Sequence, residues 1–453
     1  MMKLNKCFAS AFAAFSILLS INSFAQTAED ITGKCEVTCS GVVKERICDN
    51  NVATHSSGQN ITISIKSDES IGGIYLKYNN HAPVSGTLND TVKIATNGFV
   101  HEFIDIDNSN EAKLSFDSAD ICDIFVFSEG EIPSDVQRWE TGDEETDILL
   151  CATHSDDDQL FFAGLLPYYA GHKDVNVRVA YFINHYDTYN RTHELLDGLW
   201  HCGVKNYPDI SSFSDGYSES YKGALSFLEN KGHSYQDIFD FQKSLLEKYK
   251  PLVVVLHDFE GEYGHGAHIL NAKSFIDVCE NGETYVPEKI YVHLYSDNQI
   301  KLPIDESLDS FDGKTAFQVS QEAFGFHKSQ HWTWFYGWIY GKGTKITSST
   351  QIQTYNPAQY GLYYTRIGED TKQNDMLENV VVYKERASEA IKDSESTDNR
   401  VPTGTDDVSV ELSDTGATAT ENSGFSPYWL LPIVILIIII LSIILINSNK
   451  KKR

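Results

Sequence analysis

Basic residues are scarce in this chain. Its 453 residues carry 36 Lys and Arg against 64 Asp and Glu, a formal net charge of −28. Nucleic-acid binding needs a basic footprint, so the balance argues against that partner. No cysteine sits in a CxxC pair, which argues against a cysteine-built zinc site. No internal repeat occurs, which argues against a repeat array. What the chain does have is length for two folded units plus tails, and 12% aromatic residues to fill their cores.

The two ends read as targeting segments. Lys3 and Lys6 precede an apolar stretch from Phe8 to Leu19 and the small residues of Ser23-Phe24-Ala25. That is the pattern of a secretion signal over 1–25. Tyr428–Ile446 is an apolar run of 19 residues, close to the ~20 a transmembrane helix needs. Tyr428 and Trp429 suit one interface, and Lys450-Lys451-Lys452-Arg453 in the tail 447–453 suit the cytoplasmic side. Residues 385–427 are Ser, Thr, Asp, Glu and Gly with few apolar side chains, so they are expected to form a disordered acidic stalk. The expected protein is single-pass, with its folded part outside the cell surface.

Residues 27–140 read as an all-β, sandwich-like domain. Ile61–Ile65, Ile74–Tyr78, Phe103–Ile106, Lys113–Phe116 and Ile124–Phe127 are short runs, mostly alternating, between polar breaks. No catalytic cluster stands there, so the domain is either a carbohydrate-binding module or a spacer. Cys35, Cys39, Cys48 and Cys122 are candidates for two disulfides in an oxidising compartment. Residues 145–384 change character. Apolar strands at 147–152, 176–183, 252–256 and 290–294 alternate with helices at 193–202 and 235–249. That order predicts an α/β, Rossmann-like, mostly parallel sheet. A helix is expected over 308–326. The aromatic run 327–340 reads as core or lid in preference to a sugar-stacking wall.

The chemistry gathers at two places. The first strand leads into His154, Asp156, Asp157 and Asp158, at the carboxyl end where open α/β sheets put their sites. Imidazole and carboxylate in one turn suit Zn²⁺, although three Asp residues also suit a helix start. The strand at 252–256 runs into His257-Asp258 and then Gly261-Glu262-Tyr263-Gly264-His265-Gly266-Ala267-His268. A lone His is usually structural. Two His/Asp clusters opening on one sheet edge point to a shared site.

From Asp147 to Gln330 the chain resembles the PIG-L/LmbE-like N-acetylglucosaminyl deacetylases. His154-Ser155-Asp156-Asp157-Asp158 stands where that family has His-Pro-Asp-Asp-Glu. Glu262 to His268 stands where it has Gly-Tyr-Gly-His-Pro-Asp-His. Arg191-Thr192-His193-Glu194, Gly203-Val204 and Phe326–Gln330 match its intervening and late segments. The resemblance implies His154, Asp157 and His268 as zinc ligands and Asp156 as general base. It implies Tyr263 and His265 as oxyanion or leaving-group helpers, and Arg191 as a substrate-binding residue. The substrate implied is an N-acetylated glycan or glycolipid. Ser155, Asp158 and Ala267 depart from the motifs, and none removes an implied ligand or the base. A surface carbohydrate binder that keeps the fold without turnover, or a zinc amidase acting on another amide, are the alternatives.

Overall fold

The computed structural model describes residues 26–389, except 80, 84, 143, 144 and 189. The expected signal sequence, the apolar span 428–446 and the basic tail 447–453 lie outside the described residues. So does the stalk from 390 onward; its first residues, expected to be disordered from 385, belong instead to a helical stretch over 383–389. Arg386 there pairs with Glu288 at 2.9 Å. Among the described residues no helix is long and apolar enough to cross a membrane.

The N-terminal region holds β1 (Glu36–Ser40), a helical turn α1 (Lys44–Ile47), β2 (Ser56–Tyr78), β3 (Gly86–Leu88), β4 (Val92–Ile94) and β5 (His101–Ser128). They form one five-stranded sheet in the order β1-β2-β5-β3-β4. The short runs seen in the sequence are pieces of two long strands. Residues 56–66 of β2 pair with 111–121 of β5, whereas 71–78 lie between 101–109 and 121–128. The polar breaks are therefore bends inside continuous strands rather than turns between separate ones. Asn110 Nδ2 bridges the bend by donating to the Ser67 carbonyl at 3.2 Å. The alternating residues Ile61, Ile63, Ile65, Ile74, Leu76, Ile104, Leu114 and Phe116 meet in one core.

The α/β region adds β6 (Ile148–Ala152), β7 (Val177–Tyr181), α2 (Arg191–His201), β8 (Asp209–Ile210), α3 (Tyr221–Asn230) and α4 (Tyr235–Tyr249). It continues with β9 (Val253–Leu256), α5 (Gly266–Asn281), β10 (Lys289–His293), β11 (Gln299–Lys301), α6 (Ala316–Phe324), α7 (Trp334–Tyr340) and β12 (Gln359–Thr365). The sheet order is β11-β12-β10-β9-β6-β7-β8. The pairs from β10 to β8 are parallel, and β12 runs antiparallel to both β10 and β11. β6 and β9 are buried throughout. Leu195, Leu199 and Phe324 cover one face, and Leu246, Phe275 and Val278 the other. Burial on both faces is why these strands read as unbroken apolar runs. Each buried Leu or Val contributes about 1.5–3 kcal/mol. The chain goes from β6 to one side of the sheet, then crosses to β9 on the other. A crevice at such a switch point is where α/β sheets bind ligands.

Two connecting segments are less regular than a single α-helix. After β6 the backbone stays in turns until a π-helical stretch, Pro167–His172. Of the helix expected over 308–326, residues 309–311 form a 3₁₀ turn and only Ala316–Phe324 is α, starting at a Thr315–Gln318 capping box.

The β region is built into the α/β core. Phe99, Val100 and Trp139 share a core with Leu199 and Val204. His101 Nε2 stands 2.7 Å from His193 Nδ1 on α2. The described cysteines are all free thiols, so the expected disulfides are not formed. Cys122 is buried with its sulfur 3.8 Å from His193 Nε2, and burial pushes its pKa up to about 12.

Candidate metal centre

The turn after β6 and the loop after β9 meet at the carboxyl edge of the sheet. His154 Nδ1 lies 3.1 Å from His268 Nε2 and 3.3 Å from Asp157 Oδ2. His268 Nε2 lies 3.4 Å from the same oxygen. Four ligands about 2.0–2.1 Å from an ion at tetrahedral angles stand about 3.3 Å from one another. The three atoms thus form one face of such a tetrahedron, and the donor set fits a divalent ion such as zinc. All three residues are buried.

Each imidazole has a carboxylate behind it. Asp215 Oδ1 faces His154 Nε2 at 3.5 Å, and Glu262 Oε2 accepts from His268 Nδ1 at 2.6 Å. A carboxylate on the far nitrogen fixes the tautomer and leaves the near lone pair for a metal. Glu262 is completely buried and also takes His257 Nδ1 at 2.8 Å and His293 Nδ1 at 2.6 Å. His293 donates from its other nitrogen to the Asn356 carbonyl at 3.1 Å. Burial works against the charge on Glu262, but His257 and the other two rings hold its pKa well below the usual range.

Ligand atoms of His154, His265 and His268 lie within 4.8 Å of one another, and so do those of Asp157, His257 and His268. His257 and His265 are engaged elsewhere. His257 is held between Glu262 on Nδ1, at 2.8 Å, and Asp157 Oδ2 on Nε2, at 3.4 Å. His265 caps α5, its Nδ1 accepting the Ala267 N–H at 3.2 Å. That cap leaves the proton of a neutral His265 on Nε2, making the ring a hydrogen-bond donor. Burial, then His154 and His268, lower its pKa to about 2, which keeps it neutral.

In metal-free protein the carboxylates draw protons onto the rings. Burial alone lowers His154, but Asp157 and Asp215 outweigh it and raise its pKa to about 10. Burial likewise opposes His257, but Glu262 and Asp157 raise it to about 9. His268 goes the other way, to about 4, through burial and the neighbouring His257.

Asp156 sits beside the ligand set, almost fully buried. Its Oδ1 accepts from Arg191 Nη2 at 3.2 Å, while its Oδ2 has no hydrogen-bond partner among the described residues. Burial raises its pKa against the pull of Arg191. Arg191 also donates through Nε and Nη2 to Ser155 Oγ, at 2.9 and 2.6 Å. The Ser that stands in place of a motif Pro therefore anchors the turn rather than loosening it. The two donating nitrogens of Arg191 hold the turn, which makes it a positioning residue in addition to any contact with substrate. Asp158 is buried behind the turn, where its Oδ2 takes the Gln159 amide and burial keeps its pKa well above the usual range.

Tyr263 has a left-handed backbone at φ +49°, between Gly261 at +70° and Gly264 at +74°. A non-glycine residue held there costs about 1–3 kcal/mol, and such strain gathers at functional sites. The Tyr263 ring lies 5.4 Å from that of His265 and 5.7 Å from that of His268. Burial and then Asp157 raise its pKa, so the hydroxyl remains a donor. Ala267 is buried and brings no acid to His265. Gly266 lets the loop 214–220 pass close: a Cβ there would stand 2.4 Å from the Ser220 carbonyl oxygen.

No protein-family model matches the chain, and no curated protein matches it. Among solved structures, N,N'-diacetylchitobiose deacetylase from Pyrococcus horikoshii aligns at 13% identity and a TM-score of 0.33, over 48% of this chain and 84% of the other. The 4-carboxy-2-hydroxymuconate hydratase from Pseudomonas putida aligns at 13% identity and 0.30, over 50% and 99%. A chitosan-binding module of a chitosanase/glucanase from Paenibacillus aligns at 11% and 0.19, over 22% and 98%. Likenesses this slight carry no functional weight.

Proposed function

We propose that the chain is a zinc-dependent hydrolase that removes the acetyl group from an N-acetylated amino sugar, releasing acetate and a free amine. The observation that carries this is the triangle of His154 Nδ1, Asp157 Oδ2 and His268 Nε2, with sides of 3.1–3.4 Å. Beside it stands the unpartnered Asp156 Oδ2.

His154, Asp157 and His268 hold the ion; Asp215 and Glu262 orient the two rings. A bound zinc supplies Lewis acidity, polarising a carbonyl and lowering the pKa of water towards ~7. Asp156 Oδ2 takes a proton from the water that attacks the acetyl carbon. The same carboxyl returns that proton to the amide nitrogen as the C–N bond breaks. His265 Nε2–H and the Tyr263 hydroxyl donate to the oxygen on which charge builds. Arg191 keeps Asp156 aimed through Ser155. The apolar span 428–446 would display this unit at the cell surface as a single-pass protein.

The test is metal analysis of the purified folded part with an acetate-release screen on N-acetylhexosamine glycans and glycolipids. Asp156→Asn is expected to keep the ion and lose at least 100-fold in turnover, the usual range of acid–base catalysis being ~10²–10⁴. Equal turnover in that variant removes Asp156 as the base. Bound metal with release from other acyl amides only would move the reading to another amide substrate.

A further inference from the structure

Two exposed aromatic rings flank the metal centre with no role in the core. Tyr217 is 66% exposed and Trp334 is 42% exposed. Tyr217 meets His265 edge-on, with ring centroids 5.3 Å apart and planes at 88°. Trp334 meets Tyr263 the same way, at 5.6 Å and 82°. Tyr263 and His265 themselves meet at 5.4 Å and 81°. The four rings form an unbroken path across the site, with Tyr217 at one end and Trp334 at the other.

Each end of the path is held in place by specific structure. Tyr217 rides on the loop that carries Asp215 inward to His154. The Gly266 N–H ties that loop to the start of α5 by donating to the Ser218 carbonyl at 2.6 Å. Only glycine at 266 admits this approach. On the other side, Phe335 and Trp338 of α7 pack on Phe161, at 5.8 and 5.5 Å. Trp334 packs beside them, 4.4 Å from Phe335 and 6.2 Å from Trp338, and stays 42% exposed. Aromatic side chains beside a site commonly line the surface on which a ligand is held.

We propose that Tyr217 and Trp334 are stacking platforms for sugar rings on either side of the scissile N-acetyl group. The substrate is then an oligomeric or polymeric N-acetylhexosamine rather than a monosaccharide. This rests on the deacetylase reading above and narrows its substrate. The occupant follows from chemistry: one face of a pyranose is a sheet of C–H bonds that packs on the π-face of an aromatic ring. A neutral glycan also suits a chain of net charge −28, which repels anionic polymers. The aromatic segment 327–340 thus serves twice, with Phe335, Trp338 and Ile339 packed in or against the core and Trp334 on the platform.

The experiment measures binding of N-acetylglucosamine and its β-1,4-linked dimer, trimer and tetramer to zinc-loaded Asp156→Asn protein. The same titration is run after adding Tyr217→Ala, Trp334→Ala or Trp334→Phe. Affinity is expected to rise with length, by roughly tenfold for each platform reached, the scale of one ~1.4 kcal/mol contact. Each Ala variant should lose about tenfold for the longer oligomers, keep the monomer affinity and keep its metal. Trp334→Phe should restore most of the loss. Affinity independent of length, or length dependence untouched by either Ala variant, overturns the platforms and leaves the deacetylase reading standing. An effect of only one of the two overturns the bracketed arrangement. No binding of any N-acetylhexosamine, the monomer included, by metal-loaded protein overturns the substrate reading itself.

Discussion

Replacing Glu262 with Gln removes one charge at the point where three imidazoles converge. The carboxylate is completely buried. Its Oε2 takes His257 and His268, and its Oε1 takes His293 and, at 3.3 Å, the Asp258 N–H. The better amide orientation keeps its oxygen on His257 and His268. The amide nitrogen then faces His293 Nδ1–H and the Asp258 N–H, two donors with no acceptor. Removing one partner of a buried ionic group costs about 3–5 kcal/mol, out of a total stability that is typically about 5–15 kcal/mol. His268 also loses the charge that raises the basicity of its Nε2. Loss of such an outer partner lowers metal affinity ~10–100-fold. The assays are urea unfolding of the metal-free protein and zinc titration against a competing chelator. A lower urea midpoint together with weaker zinc binding is expected. A variant with the parent's midpoint and the parent's zinc affinity would refute the orienting role of Glu262.

The proton balance of the centre gives a second prediction. His154 and His257 are raised to about 10 and about 9 in the fold, from ~6.5 in an unfolded chain. A raised histidine stabilises the folded state fully below its unfolded pKa and loses that contribution as pH rises through its folded pKa. Metal-free protein should therefore lose stability between pH ~6.5 and ~10, read by urea unfolding at pH 7 and 9.5. Zinc uptake at pH 7 should release at least one proton, since His154 must give up its Nδ1 proton to bind; titration calorimetry in buffers of different ionisation enthalpy measures it. Ser155→Ala leaves two buried Arg191 donors without their acceptor. A loss of about 1–3 kcal/mol in stability and roughly tenfold in turnover at full metal content is expected, the turnover figure being about 1.4 kcal/mol of misplaced base. Full turnover in that variant would show that Arg191 aims Asp156 unaided.

The parallel strands were legible because burial on both faces leaves unbroken apolar runs: 147–152, 176–183 and 252–256 each contain an observed strand, and 290–294 overlaps Lys289–His293. In the β region the alternation was legible and the connectivity was not. A bend stabilised by a side chain such as Asn110 has the composition of a turn. At the site, His154, Asp157, Tyr263, His265 and His268 lie together in the fold. The carboxylates behind them were harder to see. Glu262 stood in the second motif as a departure from glycine, and a charged residue where the pattern wants none was a usable signal. Asp215 gave no such signal: it lies in a polar loop some sixty residues from His154, and only the fold brings it in. Ser155, a departure from the motif's proline, accepts both Arg191 donors; a sequence shows the lost ring of proline and not the partner of the new hydroxyl.

Whether two loops share one ion is measured most directly by anomalous diffraction at the zinc absorption edge, from crystals of the folded part grown with zinc. A single peak within about 2.0–2.2 Å of His154 Nδ1, His268 Nε2 and a carboxylate oxygen of Asp157 is the predicted result. A zinc peak elsewhere in a crystal where these three stay empty would contradict the account.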